Sequence, residues 1–179
     1  LTRKSGEEGF PSRSVRWCLE AGGCTAQELD LVVVAEKPLR RFERTLATQL
    51  SAFPRSARPF AHSMFLWLGD RLWMRGRIAA VLEGPVGKVR FVDHARAHVA
   101  SAVAFADEDR VTALVLDDVG EWAAQSLARV DGAVIEMIGE QRYPHSLGLV
   151  ASALTQHLGL VPGVDEVALD RLASAGELL

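Results

Sequence analysis

The chain has 179 residues, 49% hydrophobic and 24% charged, with a net charge of −3 at pH 7. That length carries one domain or one and a half, with a core that needs no staples. The charge balance gives no global reason to expect nucleic acid, and no apolar run approaches a membrane span.

Residues 1–11, ending in Gly9-Phe10-Pro11, read as a loop. A helix follows, capped by Ser12 or Ser14, with Val15, Leu19 and Trp17 as its apolar positions and Gly22-Gly23 as its stop. Thr25 and Glu28 have capping-box spacing. Leu31 to Val34 is the continuous apolar run of a parallel strand buried on both faces. Residues 39–52 predict a helix with Leu39, Phe42, Leu46 and Leu50 inward. Arg40, Arg41 and Arg44 fall largely elsewhere, on a solvated face or, as the lesser reading, a phosphate site. Pro54 and Pro59 break the chain, and residues 60–83 form one long or two short helices with Gly69 or Gly76 as the break. Trp67, Trp73 and Met74 suit packing onto the parent protein better than a membrane surface.

Gly84-Pro85 and Gly87 turn into a short strand over residues 89–92. A helix then carries His94 and His98 and ends near residues 107–109. Residues 111–143 read as a three-strand meander with a hairpin signal at Asp131-Gly132. Residues 143–148 are a loop, Leu149 to Leu158 an apolar helix ended by Gly159, and residues 165–178 a last helix.

Charge is uneven along this order. Residues 38–90 hold ten Lys/Arg and three Asp/Glu, whereas residues 91–179 hold five and fourteen. The basic stretch faces an anionic ligand or, more plainly, the acidic part of the same chain. Cys18 and Cys24 lack CxxC spacing and build no disulfide framework, which suits a reducing cytoplasm. The first residues lack the apolar core of a signal peptide. The opening at Leu1, inside a basic stretch, gives the expectation that the natural protein begins earlier.

The chemistry concentrates around residues 89–98. On a helix, His94 and His98 share one face. Two neutral imidazoles so spaced can bind one metal ion, and Asp117, at a strand end nineteen residues beyond His98, can complete the set. An isolated HxxxH is also a common pattern of ordinary residues. His145 either contacts ligand or caps the helix that follows it. His62 and His157 read as structural, and Ser126 and Ser146 show no Ser-His-Asp arrangement.

Four stretches resemble the carbamoyltransferases of nodulation and antibiotic tailoring. They are Glu36-Lys37-Pro38 with Phe42-Glu43-Arg44, His94 to His98 followed by Ala100-Ser101-Ala102, Asp117 to Ala123, and Tyr143 to Leu149. Order and spacing fit over roughly residues 2–160. The resemblance implies an α/β main domain of the actin-like ATPase superfamily, with two ribonuclease-H-like halves, similar to the enzymes that place threonylcarbamoyl on tRNA. Residues 1–110 would be most of the first half, with a helical insertion over 39–83, and residues 111–179 the opening meander and helix of the second. A separate C-terminal domain in that family makes carbamoyl adenylate from carbamoyl phosphate and ATP. The main domain passes the carbamoyl group to a hydroxyl of a sugar or other natural product beside a divalent metal, usually iron(II). The resemblance makes His94, His98 and Asp117 metal ligands. It puts Asp118, Gly120 and Glu121 in a nucleotide-facing turn, and it supports His145 as a ligand-contacting, catalytic residue.

Departures accompany the match. The family's first strand hairpin would precede Leu1, and its Asp-Gly stands here as Asp117-Asp118, which adds charge beside phosphates. Residues 166–173 lack the lysine and glycine of the family's Glu-Tyr-Lys and Met-Gly-Leu-Ala signature. The expectation is a cytoplasmic fragment of a longer transferase, inactive alone, with no nucleic acid or membrane partner and with a dimer left open. The alternative is a non-catalytic, degenerate relative that serves as an interaction or regulatory module. A sugar-kinase relative is the weakest reading, because HxxxH is not a kinase feature.

Overall fold

The structure, a computed structural model, describes residues 11–69, 71–84, 86–163, 165–174 and 176. Most of the loop expected over residues 1–11 and the end of the helix expected over 165–178 lie outside the described residues. The protein is mixed α/β with two small sheets, and it divides into two compact units, Leu1–Val92 and Asp93–Leu179. The histidine helix falls in the second unit because it packs on the meander that follows it.

In the first unit, α1 (Ser12–Gly22) ends at Gly23, whose φ of 63° is the left-handed conformation that glycine adopts without cost. Its N-cap is Pro11, not a serine: the Pro11 carbonyl accepts the Val15 N–H at 3.0 Å, so Ser12 is already helical. Val15 and Leu19 pack toward a core of Ile78, Leu82 and Val89, whereas Trp17 is exposed. The Thr25–Glu28 capping box forms, with Thr25 N–H and Oγ1 donating to Glu28 Oε2 at 2.7 and 2.8 Å. These two bonds, the backbone one first, hold the Glu28 carboxyl below its ordinary pKa.

Strands β1 (Val32–Val34) and β2 (Val89–Phe91) pair in parallel, with Val33 opposite Arg90. The parallel pairing was expected; burial on both faces was not found. Val32 and Val34 face the core, but Val33, pointing to the opposite face, is 53% exposed.

Helix α2 (Pro38–Ser51) differs from its sequence reading in rotation. Its partner, α3 (Ala57–Gly69), meets it where Phe42 contacts Trp67 (centroids 5.5 Å apart) and Gln49 donates to Ser63 Oγ (2.7 Å). That face lies roughly a quarter turn from Leu39 and Leu50, which are exposed. Arg41 is half-buried on Glu36 at 2.8 Å, so the arginines do not form one solvated face. Pro59 sits in the first turn of α3, where its missing N–H costs no helical bond. The helical break falls at Gly69, and Gly76 lies inside α4 (Met74–Val81). Trp67 is buried; Trp73 is exposed and donates its Nε1 to the Leu68 carbonyl at 2.8 Å.

The second unit is α5 (His94–Val103) laid on an antiparallel meander of β3 (Arg110–Leu116), β4 (Ala123–Asp131) and β5 (Val134–Arg142). Strand alternation sends Val111, Ala113 and Val115 toward α5, and Ala128 and Val130 with them, to enclose Val99 and Val103. Asp131 ends β4, and Gly132, at φ 55°, makes the hairpin turn. Helices α6 (Leu147–His157) and α7 (Glu166–Ser174) follow. No helix among the described residues is long and apolar enough to cross a membrane.

Candidate metal centre

The core row of α5, Ala95 and Val99, fixes the helix on the sheet. The neighbouring row, one position earlier, is His94 and His98. It stands beside Asp117, which directly follows β3. His94 Nε2 is 2.9 Å from Asp117 Oδ2 and 3.1 Å from His98 Nε2, and the two rings meet edge to face at 4.6 Å. One ligand atom from each of the three residues lies within 4.8 Å of the others. The two short separations suit neighbouring ligand atoms on one ion with metal bonds of about 2.0–2.2 Å. Two imidazole nitrogens and a carboxylate oxygen suit zinc, iron(II) or manganese, and three protein donors leave coordination positions open. The set therefore fits the divalent ion that the sequence pattern suggests.

Asp117 is held from several directions. Its N–H donates to the Ala124 carbonyl at 2.8 Å, and its Oδ1 accepts the Asp118 N–H at 2.7 Å. Its carbonyl accepts Ser146 Oγ at 2.9 Å. Ser146 is buried and is also the N-cap of α6, accepting the Leu149 N–H at 3.1 Å. One hydroxyl thus joins the helix start to the Asp117 backbone. We expect Ser146→Ala to lower stability by about 1–2 kcal/mol, read by urea denaturation, since it removes a cap and takes a donor from the half-buried Asp117 carbonyl. An unchanged denaturation midpoint would contradict this.

Gly120 lets the turn after Asp117 double back. Its φ is 44°, and a Cβ there would lie 2.4 Å from the Ala123 carbonyl oxygen. Gly148 lets the first turn of α6 approach Asp118, whose carboxylate turns toward that helix, 3.4 Å from Ser152 Oγ. Glu121 is 4% exposed, and its Oε1 accepts the His94 N–H at 3.2 Å. His145 is exposed and lies outside the three-residue cluster; its N–H donates to the Arg142 carbonyl at 3.0 Å, and the helix cap is Ser146 rather than His145.

A family profile described as "Carbamoyltransferase N-terminus" matches residues 1–178. The chain belongs to the carbamoyltransferase N-terminus family. The uncharacterized protein sll1178 of Synechocystis sp. (strain ATCC 27184 / PCC 6803 / Kazusa) is 35% identical over 99% of this chain and 30% of its own length. The nodulation protein NolNO of Sinorhizobium fredii (strain NBRC 101917 / NGR234) is 25% identical over 89% of this chain and 22% of its own length. The chain therefore spans about a third or less of these relatives.

Two residues of this carbamoyltransferase N-terminal region escaped the sequence reading, Ser146 and Gly148. Ser146 stands in the Tyr143–Leu149 stretch and in no Ser-His-Asp arrangement, yet a serine directly before an apolar helical run is an N-cap signal. Gly148 carries no local signal, because its need arises from a segment thirty residues earlier.

Proposed function

We propose that this chain supplies the metal-bearing part of a carbamoyltransferase that passes a carbamoyl group from carbamoyl adenylate, made from carbamoyl phosphate and ATP, to a hydroxyl of a sugar or other natural product. The convergence of His94, His98 and Asp117 within one compact unit of a carbamoyltransferase-family chain carries this reading. A divalent ion there, iron(II) in the preferred reading, supplies Lewis acidity for a carbonyl or phosphoryl oxygen. His94 and His98 offer imidazole nitrogens from one helix, and Asp117 offers a carboxylate whose other oxygen is already engaged by a backbone N–H. Asp118 and Gly120 lie in the nucleotide-facing turn, and His145 contacts the substrate from its exposed loop. The chain contributes most of the first ribonuclease-H-like half of an actin-like ATPase fold and the start of the second. The two free cysteines, Cys18 and Cys24, accord with a cytoplasmic setting.

A second reading, a non-catalytic interaction module, draws on Asp118, whose carboxylate adds negative charge where phosphates would approach. The test presents carbamoyl adenylate and a panel of hydroxyl acceptors to the chain and follows carbamoyl ester by mass spectrometry. The expected result is no turnover by the chain alone, since catalysis by positioning needs the whole constellation. Turnover is expected when the remaining part of a full-length homologue is added. Robust turnover without that addition would overturn the partial-site reading, and none with it would favour the module.

A further inference from the structure

We propose that Glu121 is a positioning residue for the histidine pair, not a group that contacts the nucleotide; the inference rests on the metal-centre reading above. The N-cap residue of α5 is Asp93, which makes no side-chain cap bond. The acceptor for the first helical N–H, that of His94, comes instead from Glu121, twenty-seven residues later. A buried carboxylate at the start of a helix is favoured by the partial positive charge of the unsatisfied N–H groups there. Glu121 is not among the described residues whose ligand atoms cluster for a metal. Its Oε1 is directed at the helix backbone.

The consequence is a grip on His94 at two points. Asp117 meets its ring at Nε2, and Glu121 meets its backbone N–H. Both acids stand on one short turn, four residues apart, and Gly120 between them allows the turn to fold back. The turn that offers the carboxylate ligand thereby also sets the rotation and height of the helix that offers the imidazoles. His98, one helical turn along, follows from the same registration. Such outer contacts fix ligand geometry before an ion arrives, so less ordering remains to be done on binding.

Three Glu121 variants, a histidine double variant and two readouts test this on the intact chain. Without metal, amide hydrogen exchange reports the His94 N–H; with metal, zinc competition against a chromophoric chelator reports affinity. Glu121→Ala is expected to speed His94 exchange at least about tenfold and to weaken zinc by roughly 10–100-fold. Glu121→Gln keeps an oxygen acceptor and is expected to stay within a few-fold of wild type in both. If Glu121→Ala does not fold, Glu121→Asp takes its place: it keeps the charge but withdraws the carboxylate by one methylene, and a positioning role predicts loss. Unchanged exchange and affinity in Glu121→Ala, or an equal loss in Glu121→Gln, would overturn the proposal. If wild type and a His94→Ala/His98→Ala variant bind zinc equally while exchange still responds to Glu121→Ala, the metal reading falls and the backbone clamp stands.

Discussion

Purified without oxygen, the wild-type chain is expected to hold about one divalent ion, and the His94→Ala/His98→Ala variant none. Loss of both imidazoles leaves Asp117, a single carboxylate, whose affinity should fall by more than roughly 100-fold, beyond the effect of disturbing an outer-shell partner. The variant should stay folded. Alanine is the strongest helix former, and the buried row of α5, Ala95 and Val99, is untouched. The His94–Asp117 contact that disappears is partly solvent-exposed, so its loss costs at most about 1 kcal/mol. Circular dichroism should therefore match wild type while elemental analysis does not. Acid should release the ion from wild type too, because an imidazole must be neutral to ligate. Equal metal in both proteins would sink the assignment.

How much of this was legible from the residues depended on the range of the contact. The convergence of His94, His98 and Asp117 was legible because each part is a local consequence of backbone period. Two histidines four apart share a helix face, and an acid after a buried-type strand stands at the sheet end. The meander was legible from its turn: Asp131-Gly132 is a hairpin signal between two apolar runs, whereas the one-sided burial of β3, with Leu114 and Leu116 exposed, was not. Rotation and exposure were not. Leu39 and Leu50 share an apolar stripe, but which side of α2 meets α3 is decided by Trp67 and Ser63, residues of another helix. Val33 carries the composition of a buried strand and is exposed, since composition does not tell whether a layer packs on each face of the sheet. Glu121 showed its residue type to a reader of the sequence but not its target, the N–H of a helix twenty-seven residues earlier.

Gly148→Ala should destabilise the protein by about 1–3 kcal/mol and weaken metal binding with it, although alanine suits a helix better than glycine. The sign follows from space. Gly148 lies in the first turn of α6 and does not have a positive φ, so its backbone accepts alanine. A Cβ there would lie 2.1 Å from Asp118 Oδ1, 2.9 Å from Asp118 Cα and 3.1 Å from the Asp117 carbonyl oxygen. The carboxylate can rotate away cheaply; the Cα and the carbonyl cannot. Either α6 retreats or the Asp117-Asp118 segment does, and both stretch the Ser146 bond to the Asp117 carbonyl. Asp117 then leaves its position beside His94. The helix-propensity gain, about 1 kcal/mol, is smaller than the cost of forcing backbone into backbone. Gly76→Ala is the matched control: Gly76 is exposed within α4, and nothing lies within 4 Å of its added Cβ. That variant should be neutral or more stable by up to about 1 kcal/mol, with metal affinity unchanged. Thermal melts and zinc competition on both variants read the contrast directly. If Gly148→Ala gained stability as Gly76→Ala does, the close approach of α6 to the metal-bearing turn would be wrong, and with it the role given to Ser146.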